Sequence, residues 1–209
     1  KLLETHPEIT TVVLNINDRF GPVILGVREK VIYGSGYIED VLCGKRFRIS
    51  SRSFYQINPV QTEKLYSAAI DLAGLTGNET VLDAYCGIGT IGLTVSDKAR
   101  QVVGVEVNRD AVRDAIGNAK HNGVKNARFF AADATAWIRE AADAGQKADV
   151  VFMDPPREGS TPAFIESVAR MAPKRIVYVS CNPETMARDL ALLIQKGYRA
   201  EGFTPVDMF

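Results

Sequence analysis

Apolar positions recur along this chain in three different ways. Over residues 1 to 52 they form short β-rich runs: Thr11-Val12-Val13-Leu14-Asn15-Ile16, Val23-Ile24-Leu25-Gly26-Val27, Val31-Ile32-Tyr33, Tyr37-Ile38-Glu39-Asp40-Val41-Leu42 and Arg46-Phe47-Arg48-Ile49. These predict strands, with Asn17-Asp18-Arg19-Phe20-Gly21-Pro22 and Gly34-Ser35-Gly36 as turns. Leu65, Tyr66, Ala69, Ile70 and Ala73 then fall at helical spacing between a start signal, Asn58-Pro59, and a stop signal, Gly74. From Thr80 the period alternates. Strands are expected at 80–84, 101–106, 127–131, 149–153, 175–180 and about 199–205, separated by helices at about 90–98, 109–121, 134–142, 160–171 and 184–196. Runs such as Val102-Val103-Gly104-Val105 and Val150-Val151-Phe152-Met153 suit strands covered on both faces. The expected fold class is therefore α/β: a Rossmann-like, doubly wound, mostly parallel sheet, preceded by a small β-rich part over residues 1–55.

The first strand of the alternating region ends in Asp83 and breaks into Ala84-Tyr85-Cys86-Gly87-Ile88-Gly89-Thr90-Ile91-Gly92, with glycines spaced G-x-G-x-x-G. Glycine at a strand-to-helix turn lets backbone approach a ligand, so a nucleotide-like cofactor is the first expectation, although a plain turn uses the same residues. In an open sheet of this kind ligands sit beyond the carboxyl ends of the strands. Residues just past each strand are Asp83, Glu106, Asp133, Asp154-Pro155-Pro156-Arg157 and Ser180-Cys181-Asn182-Pro183, so each strand end delivers a polar group to one rim. Glu106 lies 23 positions after Asp83, near the roughly 20-residue interval at which an acid receives a ribose diol. Asp133 either receives a base amino group or caps the following helix. The two prolines after Asp154 lock the backbone and hold its carboxyl at the rim.

Composition narrows the class of protein. In 209 residues, 46% hydrophobic and 24% charged, 25 Lys plus Arg balance 25 Asp plus Glu, so net charge advertises no polyanionic partner and excludes none. No apolar run reaches the roughly 20 residues of a membrane span, and Lys1-Leu2-Leu3-Glu4-Thr5-His6 has no signal-peptide character, so a cytoplasmic protein without membrane contact is expected. Cys43, Cys86 and Cys181 lack C-x-x-C spacing, which argues against a disulfide framework, a metal site or an iron–sulfur cluster. Cys43 and Cys86 read as packing. Cys181, at a strand end before a helix, is placed as a working thiol.

The glycine loop and Glu106 fit either NAD or S-adenosylmethionine. A proline-locked Asp and a strand-end Cys favour the methyl donor, because methylation of the weakly nucleophilic uracil C5 calls for a thiolate that adds to C6. The motifs Phe54-Tyr55-Gln56-Ile57-Asn58, Asp83-Ala84-Tyr85-Cys86-Gly87-Ile88-Gly89, Gly104-Val105-Glu106, Asp154-Pro155-Pro156-Arg157 and Ser180-Cys181-Asn182-Pro183, in this order, resemble the S-adenosylmethionine-dependent RNA uracil-C5 methyltransferases, which form 5-methyluridine in tRNA and ribosomal RNA.

The resemblance covers about residues 50 to 209 and implies a methyltransferase domain over 56–209 with an RNA-contacting part over 1–55. It implies that Gln56, Tyr85, Gly87, Gly89, Thr90, Glu106, Asp133 and Asp154 hold S-adenosylmethionine and its product S-adenosylhomocysteine. Asp154 would lie between cofactor and uracil, and Cys181 would be the nucleophile. Ribosomal RNA is the favoured substrate, with tRNA as the alternative. A nicotinamide-dependent oxidoreductase and a non-catalytic cofactor-binding module are readings of another class.

Three departures accompany the resemblance. Thr90 stands where many members have Asn. The family's general base is a Glu beyond Asp-Met-Phe, where this chain reads Asp207-Met208-Phe209 and stops. The oligonucleotide-binding barrel and cysteine cluster of many members are not in the sequence. The expectation is a fragment that binds cofactor with little turnover.

Overall fold

The structure, a computed structural model, describes residues 1–18 and 24–208. A helical turn, α1 (Leu2–Thr5), precedes the antiparallel ribbon β1 (Thr11–Ile16) and β2 (Arg28–Gly34) and a second hairpin, β3 (Tyr37–Leu42) and β4 (Lys45–Ser50). Helix α2 (Pro59–Ala73) starts where Asn58 accepts the Gln61 N–H at 3.2 Å with Pro59 in the first turn, and it stops at Gly74 in the left-handed region. Proline presets the φ a helix start needs, and glycine takes the positive φ of its end at least cost.

Five parallel strands follow: β5 (Thr80–Ala84), β6 (Gln101–Glu106), β7 (Ala127–Ala131), β8 (Val150–Met153) and β9 (Arg175–Tyr178), in spatial order β7-β6-β5-β8-β9. Between them run α3 (Thr90–Val95), α4 (Arg109–His121), α5 (Ala134–Asp143) and α6 (Pro162–Met171), and α7 (Pro183–Gln195) follows β9. The chain leaves β5 in one direction and returns to its other side as β8, so the strand order reverses between them. A crevice opens there at the carboxyl edge.

Both faces of the sheet are covered. On one face Val81, Val102, Phe152 and Val177 pack with Tyr66, Ile91 and Leu93 and with Leu42 and Phe47 of the second hairpin. On the other, Leu82, Val105, Val151 and Met153 pack with Ile138, Phe164, Ile165 and Leu193. Neighbouring residues such as Val81 and Leu82 serve opposite cores because successive strand side chains point to opposite faces, which is why these strands read as continuous apolar runs.

The hairpin is attached by polar groups. Asn118 of α4 and Asn122, which caps its end, lie one turn apart and turn their carboxamides to the open edge of β4. Asn118 accepts the Arg48 N–H at 2.8 Å and donates to its carbonyl at 3.3 Å, while Asn122 does the same for Arg46 at 2.8 and 2.7 Å. Two side chains thus continue the ladder that a neighbouring strand would have made.

Four expected elements differ. No strand forms at 24–27, and Val23 lies outside the described residues. Side chains occupy this backbone: Asn15 accepts the Gly26 N–H at 2.7 Å, and Arg52 donates to the carbonyls of Gly26 and Val27, so pairing begins only at Arg28. No strand forms at 199–205. That segment is polar and exposed, and the tail meets α2 instead, where the Asn58 carboxamide donates to the Met208 carbonyl at 3.4 Å. The strand expected at 175–180 ends at Tyr178, and the helix expected at 90–98 divides into α3 and a 3-10 turn at Ser96–Lys98.

Candidate active site at the carboxyl edge of the sheet

Strand β5 carries Asp83 into the interior, where it is 1% exposed. Its Oδ2 accepts the Gly92 N–H at 2.8 Å, and its Oδ1 is buried with no hydrogen-bond partner. The chain then reverses through Tyr85, Gly87 and Gly89, all at positive φ (64, 52 and 84°). Tyr85 holds this strained conformation with its ring 5.1 Å from that of Phe164 and its hydroxyl 3.5 Å from Ser160 Oγ. At Gly87 a Cβ would meet open space, so φ rather than crowding favours glycine there. At Gly89 it would press on Phe129 at 3.0 Å.

Glu106, at the end of β6, secures the loop: its Oε2 accepts the Gly87 N–H at 3.2 Å and its Oε1 the Asn108 N–H at 2.8 Å. Asn118 reaches the same loop from α4 through the Ile88 carbonyl at 3.4 Å.

Gln56, Tyr85, Gly87, Thr90 and Asp154 line one cleft of about 360 Å³. Phe54, Tyr55, Tyr66, Asp83, Cys86, Ile88 and Ile91 complete its wall. Burial pushes the Asp154 carboxyl up to about 6. Asp83 is pushed up to about 7, first by burial and then by the negative charges of Asp154 and Glu106, against the opposing Gly92 N–H. Two carboxyls that hold their protons well above the usual carboxylate range thus face a space shaped by backbone.

Gly89, Glu106, Asp133 and Cys181 are not in the cleft wall. Gly89 precedes α3 and Glu106 lies behind the loop. Asp133 is exposed and caps α5, its Oδ1 accepting the Ala136 N–H at 2.9 Å. Cys181 is exposed, between Ser180 and the α7 cap Asn182, whose side chain accepts the Glu184 N–H at 3.0 Å. Cys86 is buried with its thiol pushed well up by burial, and Cys43 is half-buried in the β3–β4 turn, both as packing residues.

Sequence reasoning does not single out Tyr66, which at helical spacing reads as core. Its hydroxyl lies 2.9 Å from Thr90 Oγ1 and burial raises its phenol pKa. The signal in the sequence is the hydroxyl itself, which a buried tyrosine must pair. Asp83 reads in sequence as a strand end, and the structure makes it part of the wall.

The Asp154 loop and the start of α7 meet directly. Asn182 Nδ2 and Thr185 Oγ1 both donate to the Arg157 carbonyl at 3.2 Å. The segment that follows Asp154 is therefore held against the start of the helix that follows Cys181.

This sheet order and cleft define a Rossmann-like fold of the class I methyltransferase type. The sequence model of the tRNA (uracil-5-)-methyltransferase family matches residues 23–209, and the chain belongs to that family. An uncharacterized RNA methyltransferase of Listeria innocua is 50% identical over 99% of this chain and 46% of its own length, and one of Enterococcus faecalis is 48% identical over 100% and 46%. The chain thus spans about half the length of the curated relatives it matches. The solved Pyrococcus abyssi tRNA (uracil-54, C5)-methyltransferase in complex with S-adenosyl-L-homocysteine superposes with a TM-score of 0.80 at 32% identity, over 96% of this chain and 47% of that one. Among the described residues no cluster of three or more His, Cys, Asp or Glu could hold a metal ion, and no helix is long and apolar enough to cross a membrane.

Proposed function

We propose that this chain carries the cofactor site and the nucleophile of an enzyme that transfers a methyl group from S-adenosylmethionine to C5 of a uridine in RNA. The observation that carries the reading is one contact: the Arg157 carbonyl, three residues beyond Asp154, is held by Asn182 and Thr185 at the start of the helix that follows Cys181. The residues fit the cofactor. Gln56, Tyr85, Gly87, Thr90 and Asp154 of the cleft wall would hold it, with Gly89, Glu106 and Asp133 contributing from outside that wall, and the unpartnered, buried Asp83 Oδ1 offers an acceptor for a cationic or N–H group. Bound there, S-adenosylmethionine supplies an electrophilic methyl.

The protein's part is to make C5 nucleophilic. The Cys181 thiolate forms a bond to C6, and the C5–C6 π pair moves onto C5, conjugated with the C4 carbonyl. After C5 has gained its fourth substituent, a base removes the C5 proton, the double bond re-forms, and the C6–S bond breaks to return the thiolate. Asp154, whose carboxyl keeps its proton up to about pH 6, can donate a hydrogen bond to the pyrimidine edge when protonated, and when ionised it stabilises a neighbouring positive charge.

The full-length protein should form a covalent adduct with RNA containing 5-fluorouridine, because the C5 fluorine cannot be lost as a proton and release is blocked. Adduct formation by Cys181→Ala would refute the assignment. Ribosomal RNA is the substrate we favour. The family description and the Pyrococcus abyssi neighbour both favour a second reading, tRNA. Methyl transfer to purified ribosomal RNA against purified tRNA separates them.

A further inference from the structure

Among the described residues two carboxylates are fully buried, Asp83 and Asp189. The first belongs to the cleft; the second does not. Asp189 sits on α7 at 0% exposure and is surrounded by donors. Its Oδ2 accepts the Ser160 N–H at 2.6 Å and the Tyr178 hydroxyl at 2.8 Å, and its Oδ1 pairs with Arg188, 2.9 Å from Nε and 2.7 Å from Nη2. Arg188 in turn donates to the Glu158 carbonyl at 2.9 Å and the Ser160 carbonyl at 3.0 Å. The loop comes so close that a Cβ on Gly159 (φ +76°) would meet Arg188 Nη2 at 2.6 Å and Asp189 Oδ2 at 2.7 Å.

Together with the bonds from Asn182 and Thr185, the first turns of α7 grip segment 157–160 through four side chains. That segment begins three residues after Asp154, and its Ser160 hydroxyl lies 3.5 Å from the Tyr85 hydroxyl of the cofactor loop. Cys181 lies just before the helix that does the gripping. A buried charge is retained at a cost in desolvation and is useful when its several partners must keep one geometry.

We propose that Asp189 is a positioning residue for methyl transfer: its buried carboxylate locks the Asp154 loop onto α7 and so fixes Asp154 relative to Cys181. The proposal rests on the reading of Cys181 as nucleophile. Losing the lock leaves the cleft wall from β5 and α2 in place, so cofactor binding survives. What suffers is the alignment of thiol, carboxyl and methyl donor, where a displacement of about 1 Å costs on the order of a hundredfold in rate.

The test uses the full-length protein carrying Asp189→Asn, which keeps an oxygen acceptor but sets an N–H donor against Arg188. Tyr178→Phe, which removes one donor to the same carboxylate, accompanies it. Each variant is assayed below its melting temperature for S-adenosylhomocysteine affinity and binding stoichiometry by calorimetry, and for turnover per cofactor-binding molecule. The expected result is a fall in kcat of about a hundredfold for Asp189→Asn and a smaller fall for Tyr178→Phe, with cofactor Kd within about threefold of the parent. Unchanged kcat per binding-competent molecule would overturn the proposal, as would a loss of cofactor affinity parallel to the loss of rate. If Asp189→Asn does not fold, the same two measurements on Tyr178→Phe decide the question. Cys181→Ala in the same series keeps the two readings apart: if it still turns over, the nucleophile assignment fails whatever Asp189 does.

Discussion

Asp83 and Gly92 are joined across the glycine loop by a single bond, the Gly92 N–H to Oδ2 at 2.8 Å, and a Cβ on Gly92 would lie 2.9 Å from that same oxygen. The third glycine of the motif is therefore required by the carboxyl it faces. Gly92→Ala should push the Asp83 side chain into the cleft and weaken S-adenosylhomocysteine binding about tenfold, equivalent to about 1.4 kcal/mol. Calorimetry on the folded variant measures it, and parental affinity would show that Asp83 swings away instead.

Asp83 also makes stability depend on pH. Its folded value of about 7 lies above its ordinary value of 3.8, so between these the folded chain holds a proton that the unfolded chain has released. Stability contributed by the neutral carboxyl is thus present at low pH and lost as pH rises through about 7, each unit of displacement being worth about 1.4 kcal/mol. Asp154, at about 6, adds the same sign over a narrower window. Denaturant midpoints of the cofactor-free protein should fall from about pH 5 to about pH 8, and Asp83→Asn should remove most of the decline.

The same carboxyls should distinguish methyl donor from product. A sulfonium held in the cleft they line would favour the ionised forms of Asp83 and Asp154, whereas a neutral thioether would not. The affinity ratio of S-adenosylmethionine to S-adenosylhomocysteine should therefore rise about tenfold between about pH 5.5 and about pH 8, one pKa unit of differential interaction. Equal pH dependence for both ligands would count against a charge role.

Asn118 ties hairpin to loop, meeting the Arg48 N–H and carbonyl and the Ile88 carbonyl from a fully buried position. Asn118→Ala strands these backbone groups and should cost about 2 kcal/mol, with faster hydrogen exchange at the Arg48 amide as the local signature. An unchanged exchange rate would show that Asn122 and the packing of Leu42 and Phe47 hold the hairpin without Asn118.

The β-α alternation was legible because a strand covered on both faces is continuously apolar, and Val150 to Met153 read that way before any neighbour was known. The errors fell where pairing depends on residues elsewhere. The run at 23–27 has strand composition, but Asn15 and Arg52 take the backbone of Gly26. At 199–205 no partner edge among the described residues receives the chain. Asp133 was legible as a cap or an acceptor, and its Oδ1 caps α5.

By itself the sequence determined the local periods, the glycine turn after Asp83 and the polar residues at strand ends, because each is a property of consecutive side chains. Only the tertiary structure decided that β8 returns beside β5, bringing Asp154 to the cleft of Asp83 and Tyr85. It alone drew Tyr66 to Thr90 and buried Asp189 against Ser160 and Tyr178. These meetings join segments distant along the chain, and the packing of the whole sheet between its two helical layers selects them, which no local pattern encodes.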